Sequence, residues 1–228
     1  MAAPASQVRS ALNAFADSGV ARLAAVLPSL TGSPDAVRAD LLDLAPSVIF
    51  TYTDGSSALA ADWYDDLRDD VRPSKAYAAE PVVADRAEKI GRMVAWASQP
   101  LFDGGGTDQV ALRLLPEVQK EIARPFRDTI TTNTRRDPSA EGWRRVASGK
   151  GCKFCRFLSD RGSVYKQDTV HFAAHSNCHC SAEPVFQGLH VVEASPLQYV
   201  ASKRYRTPEQ RAANNAKIRA YLAKHYGD

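Results

Sequence analysis

With 228 residues, 44% apolar and 24% charged, the chain can bury at least one sizeable core, and its composition is that of an ordinary folded protein. No apolar run approaches the 18 residues of a membrane span, and the opening Met1-Ala-Ala-Pro-Ala-Ser lacks the charged-then-apolar layout of a secretory signal; both predict synthesis in a reducing cytoplasm and no membrane partner. The net charge of +3 hides an asymmetry, since residues 1–110 carry 9 Lys+Arg against 15 Asp+Glu and residues 111–228 carry 20 against 11. A basic rear half admits nucleic acid as a neighbour, although a solvated mixed-charge surface explains much of the same pattern.

The front half predicts helices. Val8, Leu12, Phe15, Val20, Leu23 and Leu27 recur at helical spacing over about 5–30. Ser33-Pro34 pairs a cap residue with proline at the first helical position, and predicts a helix over about 34–44. Pro46 predicts the start of another, running to about Val71 with a bend at Gly55. Asp62, Asp65, Asp66, Asp69 and Asp70 at its far end fit a solvated acidic face better than an acid–base pair. Val82–Ala97 predicts a further helix, and Gly104-Gly-Gly106 a linker. Residues 107–130 are helical in pattern, with Pro116 and Pro125 expected to start turns or kink the chain.

After Arg135-Arg-Asp-Pro138 the texture changes. Trp143–Ala147, Ser163–Lys166 and Cys178–Phe186 predict three short strands, with a short helix over about 152–161 stopped by Gly162. Thr207-Pro-Glu-Gln210 is a capping box, opening a last helix with Ile218, Tyr221, Leu222 and His225 on its apolar stripe. The expected fold is α+β and mostly helical: an extended N-terminal helical region (1–136), a small zinc-stapled α/β module with a short antiparallel sheet (137–188), and a linker with a C-terminal helix (189–228).

All four cysteines fall in that module, as Cys152-Lys-Phe-Cys155 and Cys178-His-Cys180. Cys152 and Cys155, three apart, meet on one face of a helical turn; Cys178 and Cys180 point the same way from an extended chain. Two thiolate arms at these spacings are what a closed structural zinc site requires, and His175 is a candidate to replace one cysteine. Two disulfides, a redox-active C-x-x-C and four buried reduced thiols are the competing readings. His171 and His179 fit surface or strand-face positions better than ligands. Neither a zinc-deaminase signature nor H-E-x-x-H is present, and Gly149-Lys150-Gly151 lacks phosphate-loop spacing, so no enzyme is expected. Arg144, Arg145, Lys150, Lys153 and Arg156 surround the cysteines and are the candidate phosphate contacts of a stand-alone zinc-stabilised nucleic-acid-binding protein.

Trp143-Arg-Arg, Gly151-Cys-Lys-Phe-Cys155, Asp160-Arg-Gly-Ser-Val-Tyr165, His175-Ser-Asn-Cys-His-Cys180 and Pro184-Val-Phe186 together resemble the C-terminal region of Mu-F-like minor capsid (head morphogenesis) proteins of tailed actinobacteriophages. Ala60–Arg68 is similar to that family's preceding helical region. The resemblance implies a virion component inside the head near the portal vertex. It implies contact with portal protein, and also with major capsid protein and packaged double-stranded DNA, and a part in head assembly, genome packaging or ejection. Some relatives carry a fused protease or toxin; only 42 residues follow Phe186, which implies a stand-alone structural member.

Overall fold

The computed structural model describes residues 1–147, 151–162, 165, 172, 174–187 and 207–226. The elements run α1 (Ala5–Val26), α2 (Pro34–Val71), α3 (Ala87–Ala97), α4 (Thr107–Ile122), α5 (Arg124–Arg136), β1 (Ala140–Val146), α6 (Lys153–Ser159), β2 (Ser181–Phe186) and α7 (Pro208–His225). The expected α+β class, with its helical front, short antiparallel sheet and terminal helix, is the observed one.

α2 is the beam of the molecule. Its 38 residues, at 1.5 Å each, span about 57 Å. Ser33 caps it by accepting from the Ala36 amide (3.3 Å), and Pro34 follows at the first turn. The break expected at Pro46 does not occur, because Ala45, Val48 and Ile49 are buried on either side of it and packing carries the helix through the missing amide. Along α2 lie two apolar clusters. One joins Leu41, Ala45 and Ile49 to Leu23 of α1, Val94 of α3 and Leu114 and Val118 of α4. The other joins Ala60, Trp63, Tyr64 and Leu67 to Leu12 of α1, Phe126 and Ile130 of α5, and Trp143, Ala182 and Phe186 of the sheet. The boundary expected at 136/137 therefore falls inside a shared apolar cluster.

α1 lies close to α4 at Gly19, where an added Cβ would stand 2.3 Å from Ile122 Cδ1. The helix expected from Val82 begins only at Ala87. The chain before it is an extended strap, held by side chains of α2 and α5 that satisfy its backbone. Asp65 accepts from the Ala79 amide (2.9 Å), and Thr129 from that of Val82 (2.9 Å). Asn133 bonds both backbone groups of Glu80, at 2.9 and 2.8 Å. Backbone satisfied in this way has no need of helical partners. Pro116 is accommodated inside α4, while Pro125 sits in the first turn of α5.

Asp137, fully buried, fixes the step from α5 into β1. It accepts from Arg68 Nε (2.8 Å), Tyr64 Oη (3.3 Å) and the Ser139 amide (2.8 Å). β1 and β2 pair antiparallel, from Val146 opposite Ser181 to Ala140 opposite Phe186, with an irregularity between Ala140 and Gly142. Of the strand expected over Ser163–Lys166 only Tyr165 lies among the described residues. Its carbonyl accepts from the Trp143 amide (3.0 Å) and its ring stacks on Trp143 at 4.4 Å. The described sheet thus has two strands and a bridge.

Candidate metal centre

Each cysteine arm has its own local fold. Cys152 is the N-cap of α6, its Sγ accepting from the Cys155 amide at 3.3 Å, and Cys155 stands in the first turn. Gly162, at φ +65°, ends the α6 segment as expected. In the other arm, His175-Ser-Asn-Cys178 closes a tight turn through the Cys178 amide and the His175 carbonyl (3.1 Å). Asn177 takes a left-handed φ of 60° there, which asparagine tolerates. The turn sets His175 and Cys178 side by side, and the chain then extends through Cys180 into β2.

The five expected donors converge. Cys152, Cys155 and His175 form one group, and Cys155, Cys178 and Cys180 another; within each, the donor atoms lie within 4.8 Å of one another. Cys155 belongs to both. His175 Nε2 is 3.2 Å from Cys152 Sγ and 3.4 Å from Cys155 Sγ, and Cys155 Sγ is 3.9 Å from Cys178 Sγ. A tetrahedral zinc with bonds of about 2.3 Å to sulfur and 2.0 Å to nitrogen has ligand–ligand edges of about 3.8 Å (S···S) and 3.5 Å (S···N). These three distances come close to that, while among the described residues no four donors lie within 4.8 Å of one another and the two groups meet at Cys155. Disulfides need sulfurs about 2.05 Å apart, and all four thiols are free. His175 Nδ1 lies 2.6 Å from the Ser176 carbonyl; donating there leaves Nε2 as the lone pair facing the sulfurs.

The electrostatics favour a cation. Hydrogen bonds from Cys155 and Cys180 hold the Cys178 thiol far below its ordinary range, with the Arg127 guanidinium helping. Cys155 is pushed far upward in turn by its hydrogen bonds to Cys178 and Cys180, then by burial. Sulfurs this close share protons unless a metal replaces them. Burial is one-sided: Cys155, Cys178 and Cys180 are buried against Ala147, Phe172 and Ala174, whereas Cys152 and His175 face solvent.

The arm is anchored to the helical body by a residue that spacing alone did not single out. Arg127 of α5, 2% exposed, donates from Nε to the Cys180 carbonyl (2.9 Å) and from Nη2 to the Cys178 carbonyl (2.8 Å). Gln119 of α4 adds a bond to the Cys178 carbonyl (3.2 Å). The Phe172 ring lies under the Arg127 guanidinium at 5.1 Å and that of Arg145 at 3.8 Å. Three thiolates and a neutral histidine around a divalent cation carry one net negative charge, and Arg127 sets a fixed positive charge against it.

The expected phosphate contacts do not form one exposed face. Arg145 is 4% exposed, Arg144 bonds Glu183 at 2.6 Å, and Arg156 donates to the Tyr226 carbonyl at 3.0 Å. Lys153 is half-buried, and Lys150 lies outside the described residues, as does His171. His179 faces α1, 3.3 Å from Asn13 Oδ1, away from the sulfurs.

Fold and site together define a mostly helical protein whose Cys/His cluster can hold a metal ion between α6 and the arm that leads into β2. A family profile described as VG15 protein matches residues 1–207, and the chain belongs to that family of phage-encoded proteins. No curated protein and no solved structure matches it. Among the described residues no helix is long and apolar enough to cross a membrane.

Proposed function

We propose that the protein is a structural, non-catalytic minor capsid component of a tailed-phage particle, in which zinc ties the module to the helical body. The observation that carries this reading is a sulfur-rich donor set, anchored by Arg127 and Gln119, in a chain of a phage protein family. Four protein donors close a tetrahedral sphere and leave no position for a reacting water, which is the mark of a structural site. The ion would be held at Cys155, with its other ligands drawn from Cys152, His175, Cys178 and Cys180. Its binding free energy, about 10–16 kcal/mol apparent in small zinc domains, would then become folding free energy for the module. The proposed place is inside the head at the portal vertex, with portal protein as the principal partner and major capsid protein and packaged DNA as neighbours.

The test has two arms. Protein purified without added metal should carry close to one equivalent of zinc by elemental analysis, and it should co-purify with portal rings and appear beside them in whole-particle density. Absence of metal from folded protein removes the staple; absence from the particle removes the role. The excess of Lys+Arg in the rear half supports a second reading, a stand-alone zinc-stabilised nucleic-acid-binding protein. That protein would retard duplex DNA alone and would be missing from particles.

A further inference from the structure

α7 begins at Pro208, one residue past the family match, and none of its residues is buried. It is nonetheless a well-specified helix. Thr207 accepts from the Gln210 amide (3.3 Å) while Gln210 returns the bond to the Thr207 amide (3.0 Å). It is mounted on α6 along one side only: Tyr221 and Tyr226 meet Phe157 edge-on at 5.7 and 6.1 Å, and Arg156 donates to the Tyr226 carbonyl. Asn214, Ile218, Tyr221 and Leu222 face inward and are half-buried.

The outward side has a definite chemistry. Ala212, Ala216, Ala220 and Ala223 are all exposed and share its centre line. At 100° per residue, Arg219 stands on one flank of that line and Lys217 and Lys224 on the other, while Arg211 is turned toward the inward side. None of the four cations lies within ion-pair distance of a carboxylate among the described residues, whereas Arg68, Arg86, Lys89, Lys120 and Arg144 are all paired. The helix carries a single acid, Glu209, in its first turn, where it complements the helix dipole. The flanking positive charge of Lys217, Arg219 and Lys224 therefore occupies the last three turns.

We propose that this face of α7 is a duplex-DNA-binding surface, and that α7, rather than the basic residues beside the cysteines, makes the chain's phosphate contacts. A helix with side chains is about 10–12 Å thick, and alanines along its leading edge keep it at the thin end of that range. The major groove is about 12 Å wide, so the two cationic flanks reach the phosphate strands on either side. Three phosphate contacts and no fixed base contact give binding that ignores sequence and depends on salt. The inference rests on α7 and does not require the particle role or the metal.

The test is binding of the full zinc-loaded chain to a 30-base-pair duplex across a salt series. With three contacts, log affinity should fall against log salt with a slope of about −2.7, a loss of about 40-fold between 50 and 200 mM. The K217Q/R219Q/K224Q variant should flatten the slope toward zero and lose about 30-fold at 50 mM, while keeping its helicity and zinc content. The R22Q/R135Q control, which removes exposed charge elsewhere, should leave the slope within one unit of the parent. An unchanged slope in the triple variant overturns the proposal, as does tighter binding to single-stranded DNA of the same length. So does a concentration-dependent rise in mass by light scattering without DNA binding, which would mean that α7 docks on the acidic end of α2 in a second copy.

Discussion

At the scale of single residues, Arg127 carries the most. It contacts the carbonyls of both cysteines in the C-x-C arm, and its charge stands beside their sulfurs on the buried side of the site. Arg127→Met leaves two buried carbonyls short of donors and removes the counter-charge. A loss of about 2–4 kcal/mol in urea unfolding of the zinc-loaded protein is expected, with faster zinc transfer to a chelator. Arg127→Lys keeps the charge but not the fork and should recover only part of this. Glu121 tests a second buried charge. Burial alone would raise its pKa, but hydrogen bonds from Lys89 and Arg86 hold it below the usual glutamate value. Because the folded value is the depressed one, the stabilisation is fully present above the unfolded value of about 4.3 and fades as pH falls through the folded one. Glu121→Gln should therefore be less stable than the parent by about 1–3 kcal/mol at pH 7, and the gap between their melting curves should narrow below about pH 4.

At the scale of elements, each helix end tells how locally it was written. The caps at Ser33 and Thr207, the stop at Gly162 and the cysteine pairs were legible because their partners lie within four residues. The start of α3 was not, since the strap before it is held by Asp65, Thr129 and Asn133 from helices far away in sequence. Continuity of α2 through Pro46 was hidden for the same reason, the packing on both sides being tertiary. Arg127 was invisible as part of the site because one arginine on a helix has no spacing to betray its partner. The legible metal donors therefore came without their anchor. Two element-level outcomes follow. Thr207→Ala should cost α7 about 1 kcal/mol, seen as faster amide exchange in 208–213 with the global transition unmoved, because none of its residues is buried and its aromatic contacts among the described residues are to α6. Gly19→Ala should push α1 off α4 and cost about 1–3 kcal/mol, since Ile122 Cδ1 occupies the space the methyl needs.

At the scale of the whole molecule, α2 joins two cores, and the sheet shares the second of them with α1, α2 and α5. The metal acts on the outer layer of that second core. Stripping the ion, or replacing Cys155 with Ser, should loosen α6 and the 174–180 arm while Trp63, Tyr64, Phe126 and Phe186 keep their packing. Near-ultraviolet signals of the aromatic cluster should persist at chelator concentrations that abolish amide protection in 152–162. A uniform collapse of both would show instead that the ion holds up the entire fold. One detail of β2 has a bearing on how the molecule avoids its own kind. Pro184 sits opposite Trp143, whose amide points away from β2 toward Tyr165, so the amide that proline lacks belongs to the far margin of the strand. Five of the six residues of β2 are buried, so that margin is shielded as well as short of a rung, and a neighbouring chain has little there to zip onto.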